Sequence, residues 1–371
     1  MPAPRILFVK LSSLGDVVHN LPAVSDLRQF LPSAHVAWAV EEAYAGLVSL
    51  HPGVDEVIPV AMRRLRRAPF DGGAWRASRA ARSAVASGRW DYVLDTQGLI
   101  KSAIVARRAR APVFGLDAAS ARERLAARFY DVSFRVPRAM HAVERNRAVA
   151  AQVFGYGIGR PARYGLVAPE MPPAWVPPRP YVVLLHAASH ARKRWPDERW
   201  IALGQILATT GYAVILPGGT AQERAHAARL AAAIPDALAA PATTIVEAAA
   251  LLAHASHVAG VDTGLTHLAV ALGRPTVGIY CATRPELTGL HGANAVNLGR
   301  PGAPPDAQAV AEALAGVPPA PEASDDMPPG VDAYMSPTAE SSDDMPPAAE
   351  ASVPPTADDG RAPPRYVPPA A

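Results

Sequence analysis

Short β-branched or apolar runs alternate with longer segments of helical period along most of this chain. In the first half the runs fall at 5–9, 35–40, 54–60, 91–94 and 112–114, with helix-like patterns near 17–31, 41–50, 74–87 and 99–110. The second half repeats the rhythm with "YVVLL" at 181–185, "YAVILPG" at 212–218, "HVAGV" at 257–261 and "PTVGIY" at 275–280. One helix between successive strands predicts βαβ units and a parallel sheet. A proline cluster, "PEMPPAWVPPRP" at 169–180, interrupts the pattern once and reads as an extended linker. The expectation is an α/β protein of two Rossmann-like domains, residues 1–168 and 181–317, facing a central cleft. Ligands of open α/β sheets bind beyond the carboxyl ends of the strands.

The rhythm stops at Val317. Residues 318–371 are rich in Pro, Ala, Ser and Asp and repeat "SDDMPP" at 324–329 and 342–347. So few periodic apolar positions cannot offset the ordering entropy, and the segment reads as a disordered acidic tail.

Composition adds three constraints. A chain of 371 residues, half of them hydrophobic, is long enough for two domains with sizeable cores. Cys281 is the one cysteine, so no internal disulfide forms. No apolar run approaches the ~18 residues of a membrane span, and residues 6–9 are too short for a signal peptide. A soluble, unexported protein is the expectation. Charge is unevenly placed: ten acids face two bases from residue 318 onward, so the tail carries −8 and residues 1–317 carry +11. A basic folded part suggests an anionic partner. No aromatic signature interleaves with its arginines, which disfavours nucleic acid.

The candidate chemistry sits where strands end. "SSLGD" follows the first strand and places Asp16 at a helix start, where it serves either as a helix cap or as a general base. "HAASHARKRWP" offers Ser189 and the run Arg192, Lys193 and Arg194 past a strand end, a set that suits a diphosphate or a solvated basic loop. In "LPGGTAQE", Gly218 and Gly219 permit close backbone approach, and Glu223 either meets a ribose hydroxyl or complements a helix dipole. "GVDTGLTHLAVALG" is the most specific stretch: Asp262, Thr263 and Gly264 open a helix whose free N–H groups form an anion site, with His267 one turn on. Arginines gather in "MRRLRR", "SARERLAAR" and "HAVERNR" of the first half. Lysine occurs only at 10, 101 and 193, at the end of the first strand-like run, in "DTQGLIKSA" and in "HAASHARKRWP". The G-x-G-x-x-G fingerprint is missing, which argues against a nucleotide-dependent oxidoreductase.

Taken together, "RILFVKLSSLGDVVHNLPAV" (5–24), "DTQGLIKSA" (95–103), "SARERLA" (120–126), "HAASHARKRWP" (186–196) and "VDTGLTHLAVALG" (261–273) resemble the lipopolysaccharide heptosyltransferases, most closely those of type I. The resemblance runs from residue 5 to 316 and omits the tail. It implies a GT-B fold and an inverting transfer that uses neither metal nor cofactor. Heptose would pass from ADP-heptose to the inner Kdo of Kdo2-lipid A, on the cytoplasmic face of the inner membrane. Carried over by motif, Asp16 resembles the catalytic base, with Lys10 beside it as a charge that keeps it ionised. Ser189, Lys193, Glu223, Asp262, Thr263, Gly264 and His267 correspond to the donor site. Arg63, Arg66, Arg67, Lys101, Arg122 and Arg145 correspond to positions that hold the acidic acceptor. One departure is local: Ala188 and Ser189 stand where the type I pattern has two threonines. Two other readings fit the same motifs. One is a type II or III enzyme acting on an already heptosylated core; the other is a non-catalytic nucleotide-sugar-binding protein of this fold.

The tail lacks a core pattern and carries the wrong charge for an anionic acceptor. Truncation after Val317 should leave the melting midpoint and kcat nearly unchanged, and a large loss in either would mean that the tail docks on the folded part.

Overall fold

The computed structural model describes residues 3–318, so nearly all of the acidic tail lies outside the described residues. The first half carries β1 (Arg5–Val9), β2 (His35–Glu41), β3 (Glu56–Val60), β4 (Tyr92–Asp95), β5 (Val113–Leu116) and β6 (Val132–Phe134). Its helices are α1 (Leu14–Val18), α2 (Leu21–Phe30), α3 (Ala45–Val48), α4 (Met62–Arg67), α5 (Gly72–Ser87), α6 (Ile100–Ala106) and α7 (Ala142–Phe154). The second half carries β7 (Tyr181–Leu185), β8 (Ala213–Leu216), β9 (Ala237–Ala239), β10 (His257–Val261), β11 (Thr276–Ile279) and β12 (Ala295–Leu298). Its helices are α8 (Asp197–Thr209), α9 (Ala221–Ala232), α10 (Ile245–Ala253), α11 (Gly264–Ala271), α12 (Pro285–Thr288) and α13 (Ala307–Gly316).

Each half forms one six-stranded, all-parallel sheet. The orders are β3-β2-β1-β4-β5-β6 and β12-β11-β10-β7-β8-β9. Numbered within its own half, the second order is the first one reversed, and both are the doubly wound arrangement with its switch point between the first and fourth strands. The expected pair of Rossmann-like domains is therefore present. Strands β1, β2, β7 and β10 are buried along nearly their whole length, as parallel strands covered on both faces must be.

Three features depart from the periodicity. The helix expected over 17–31 is two helices, because Pro22 at the second position of α2 cannot donate a backbone hydrogen bond and the helix restarts there. Three edge strands, β6, β9 and β12, escaped the pattern; they span three or four residues, and "ALA" in β9 has no strand-like composition. Helix α7 was also unforeseen. Its N-cap is His141, whose ring accepts the Val143 N–H, where Ser, Thr, Asp or Asn is the usual signal.

Apolar packing does not respect the division into halves. One cluster joins Phe8, Val17, Trp38 and Phe154 of the first half to Tyr181, Ile215, Leu251 and Leu268 of the second, while two further clusters fill the outer faces. The proline-rich segment 169–180 forms no helix or strand, but Trp175 and Val176 pack on the shared cluster. Across the seam α1 lies on α11, α3 on α10 and α7 on α12. The α1–α11 approach is closest at Gly264, where an added Cβ would stand 2.6 Å from Leu14 Cβ and 2.9 Å from the Gly15 nitrogen.

Because that space is filled by backbone as well as side chain, Gly264→Ala must push α1 and α11 apart. A stability loss of about 1–3 kcal/mol is expected. Thermal unfolding checks it; an unchanged midpoint would show that the seam yields without strain.

Candidate active site at the domain seam

The residues that follow the four switch-point strands build the site. Behind β1, Lys10 is 5% exposed and donates from Nζ to Thr96 O (2.9 Å) and Asn146 Oδ1 (3.1 Å). Burial pushes its ammonium down from 10.5 to about 8, while Asp16 and Asp95 pull the other way. Trp38 Nε1 donates to Lys10 O (3.1 Å), tying the end of β1 to β2. The "DTQG" motif after β4 holds the next loop. Gln97 accepts the Leu11 N–H on Oε1 (2.6 Å) and donates from Nε2 to Ser12 O (3.1 Å). Asp95, fully buried, accepts from the Gln97 N–H (2.8 Å) and the Tyr130 hydroxyl (2.9 Å), and burial raises its pKa. Lys101 Nζ donates to Ser12 Oγ (3.1 Å).

That clamped loop presents Asp16. Ser13 is the N-cap of α1, and Asp16 is the third helical residue, reaching back to accept from Ser13 N–H (2.8 Å) and Ser13 Oγ (3.0 Å) on Oδ2. Arg122 Nη1 lies 3.2 Å from Oδ1 and 3.3 Å from Oδ2. Oδ1 thus meets only Arg122, whose side chain is 57% exposed, and keeps lone pairs for a proton. Burial raises the Asp16 pKa, but Lys10, Arg122 and the Ser13 bonds outweigh it and leave the carboxyl below its usual range. The two sequence readings of Asp16 coexist: one oxygen supports the helix start, and the other faces the cleft.

On the opposite wall, Thr263 is the extended N-cap of α11. Asp262 accepts on Oδ2 from Lys193 Nζ (2.7 Å) and Thr283 Oγ1 (2.7 Å), and His267 Nε2 lies 3.7 Å from Oδ1. Burial opposes ionisation of Asp262, yet His267, Lys193 and Thr283 hold its pKa well below the carboxylate range. His267 Nδ1 meets His19 Nε2 at 3.2 Å, and Gly15 comes against the same ring. His19, His141 and His291 continue this line of rings along the seam. Burial holds His19 well below its usual pKa and pushes His141 down to about 4, so both are neutral at pH 7.

The remaining donor-side residues differ in what they do. Glu223 is engaged in a capping box, accepting the Thr220 N–H on Oε2 (2.8 Å) while its own N–H donates to Thr220 Oγ1 (3.1 Å). The close approach at Gly218 is made by the first turn of α9: a Cβ there would stand 2.6 Å from the Arg224 nitrogen. Ser189 is exposed, and Ala188 packs its methyl into an outer apolar cluster. Among the described residues, no group of three or more His, Cys, Asp or Glu side chains is placed to hold a metal ion.

The six cations expected to hold the acceptor do not converge on one point. Arg122 and Arg145 line a cavity of about 380 Å³ whose far wall is Leu287 and Thr288 of the second half. Arg138, which no motif singled out, completes it. Arg145 Nη2 donates to Ser120 O (2.6 Å), and Arg138 Nη2 donates to Ala121 O. Arg145 Nε is buried without a partner, and burial together with Arg138 and Arg122 lowers its pKa. Arg63 is docked on Tyr44, 5.2 Å over the ring, with its N–H on Glu41. Arg66 and Arg67 are exposed on α4. Arg147 of "HAVERNR" is structural, pairing with Asp26 (2.7 Å) and Glu144 (3.1 Å) to hold α7 to α2. Sequence reasoning also missed Asn146 and Thr283; Thr283 follows β11, so the strand-end rule covers its position.

An ionised carboxylate on one loop and a helix start on the other, opposed across two doubly wound domains, form an arrangement that suits a nucleotide-sugar-dependent glycosyltransferase. Residues 78–313 match the family model of glycosyltransferase family 9 (heptosyltransferase), and the chain belongs to that family. It is 41% identical over 300 residues to lipopolysaccharide heptosyltransferase 1 of Pseudomonas aeruginosa, covering 80% of this chain and 83% of the relative. To the enzyme of the same name in Escherichia coli K12 it is 39% identical over 292 residues, covering 78% and 92%. The structure of E. coli heptosyltransferase WaaC with ADP superposes with a TM-score of 0.76 at 38% identity, over 83% of this chain and 98% of that one. WaaC with ADP-2-deoxy-2-fluoro heptose gives 0.73 at 36%, with the same coverage.

Lys10 is the lever on this site. At neutral pH its depressed pKa corresponds to about 3 kcal/mol of destabilisation. Between pH 8 and 10.5 the unfolded chain binds the extra proton, so its contribution to stability rises with pH across that window. Lys10→Met should lack that rise, so the stability difference from the unsubstituted protein changes across the window, and the acid limb of kcat/KM should move to higher pH as burial of Asp16 goes uncompensated. Unchanged profiles in denaturant melts and pH–rate curves would remove Lys10 from this role.

Proposed function

We propose that the protein transfers heptose with inversion from ADP-heptose to a Kdo residue of Kdo2-lipid A, at the cytoplasmic face of the inner membrane. The observation that carries the reading is the packing across the seam of α1, which carries Asp16, on α11, whose start follows the Asp262 that pairs with Lys193. Residues up to 168 hold the acceptor, and residues 181–317 hold the donor.

In this reading the acceptor hydroxyl gives its proton to Asp16 as its oxygen bonds to the anomeric carbon. The bond to ADP breaks on the opposite face. Charge then gathers on the diphosphate, where Lys193, neighbouring arginines and the N–H groups at the start of α11 stabilise it. With those cations in place, the transfer needs no divalent ion. Arg122, Arg138 and Arg145 crowd together with Asp16 as the acid in ion-pair contact, through Arg122. An anionic acceptor relieves that repulsion, and forked guanidinium donors suit its phosphates and carboxylates. The relatives near 40% identity carry the type 1 name, which favours type I over types II and III.

The test is turnover of ADP-heptose with Kdo2-lipid A against an already heptosylated acceptor, in EDTA. Product with the former alone is expected; a need for Mg²⁺ or the opposite preference would overturn the assignment. In the same assay Asp16→Asn should fold, bind ADP-heptose and lose about 10²–10⁴-fold in kcat. Near-normal turnover would reduce Asp16 to its helix-start role.

A further inference from the structure

The first half contains a second hollow, distinct from the arginine cavity beside Asp16. It measures about 340 Å³ and lies between α4, α5 and α6. Its walls are Val60, Met62, Leu65, Val85, Ile104 and Val105, of which Val60 and Val85 belong to the outer apolar core of this half. Its mouth is cationic, with Arg66, Arg82, Lys101 and Arg108, and no acid lines it. Among the described residues Arg66, Arg82 and Arg108 have no carboxylate partner, and Lys101 is hydrogen-bonded to the Ser12 hydroxyl. Beside it, Ile104 is 43% exposed, the α4–α5 turn raises Phe70 (98% exposed) into solvent, and Trp75 in the first turn of α5 is 46% exposed.

Two observations point to the occupant. A volume of this size falls in the range of small-molecule sites, about 300–1,000 Å³. An apolar floor under unpaired cations matches an aliphatic chain joined to an anionic head, whereas a sugar phosphate has nothing to place on the floor. The rim is also coupled to the catalytic loop. Lys101 holds Ser12, and the next residue, Ser13, holds Asp16. A molecule with its chain in the hollow would meet, through Lys101, the loop that leads to Asp16.

We propose that this hollow receives an acyl chain of the glycolipid acceptor, with the cations at its mouth meeting the acceptor's anionic groups. The inference rests on the acceptor reading above and adds a subsite to it. Arg66 and Lys101, which do not line the arginine cavity, then act on the lipid end of the acceptor.

The test uses the full chain and two acceptors, Kdo2-lipid A in detergent micelles and its fully deacylated counterpart, at saturating ADP-heptose. Val105→Phe narrows the hollow, and Ile104→Asp places a carboxylate in its exposed wall; thermal melts confirm that each folds. Both variants should raise KM for the acylated acceptor by about tenfold or more. With the deacylated acceptor both should match the unsubstituted protein. Unchanged KM for the acylated acceptor, or an equal rise for both acceptors, would overturn the acyl-chain site. If the unsubstituted protein turned over neither acceptor, the acceptor reading would fail first, and this inference with it.

Discussion

The approach of α1 to α11 governs the rest of the molecule. Two helix starts face one another with so little room that the position opposite Leu14 has to be glycine. Both starts present the positive ends of their peptide dipoles to the same space, and each has a carboxylate beside it, Asp16 on one side and Asp262 on the other. That symmetry conceals a difference in use. Asp262 is saturated by Lys193, Thr283 and His267, whereas Asp16 keeps an oxygen toward the cleft.

Holding an ionised carboxylate in such a corner requires neighbours that resist its neutralisation. The buried ammonium of Lys10 does so without touching it, because low dielectric extends its reach. Its own hydrogen bonds go to a carbonyl and an amide, so it stays fixed while the carboxylate remains open to a reactant. Lys193 stands differently. It is already paired with Asp262, and a diphosphate must compete with that carboxylate or share the ammonium with it.

The strand–helix rhythm made the two sheets legible, since parallel strands buried on both faces read as apolar runs. Of the four edge strands only β3 was legible; β6, β9 and β12 were not, because segments as short as Ala237–Ala239 carry no period. Asp16, Lys193 and Asp262 could be placed past strand ends from the sequence, and folding brings Lys193 onto Asp262. Arg138 and Asn146 could not: their relation to Arg145 and Lys10 is made by folding α7 and its preceding loop back onto the first sheet. Glu223 shows the opposite case, in which a residue chosen for a ligand is engaged by its own helix start.

The apolar cluster that runs through both halves limits modularity. Phe154 and Leu268 belong to the same packed interior, and the proline-rich segment between the halves contributes Trp175 and Val176 to it. Neither half has a finished surface of its own at the seam. The second half is therefore not a cassette to be joined to an unrelated first half. Diversification within this architecture is steered toward loops such as the α4–α5 turn, none of whose residues belongs to the shared interior.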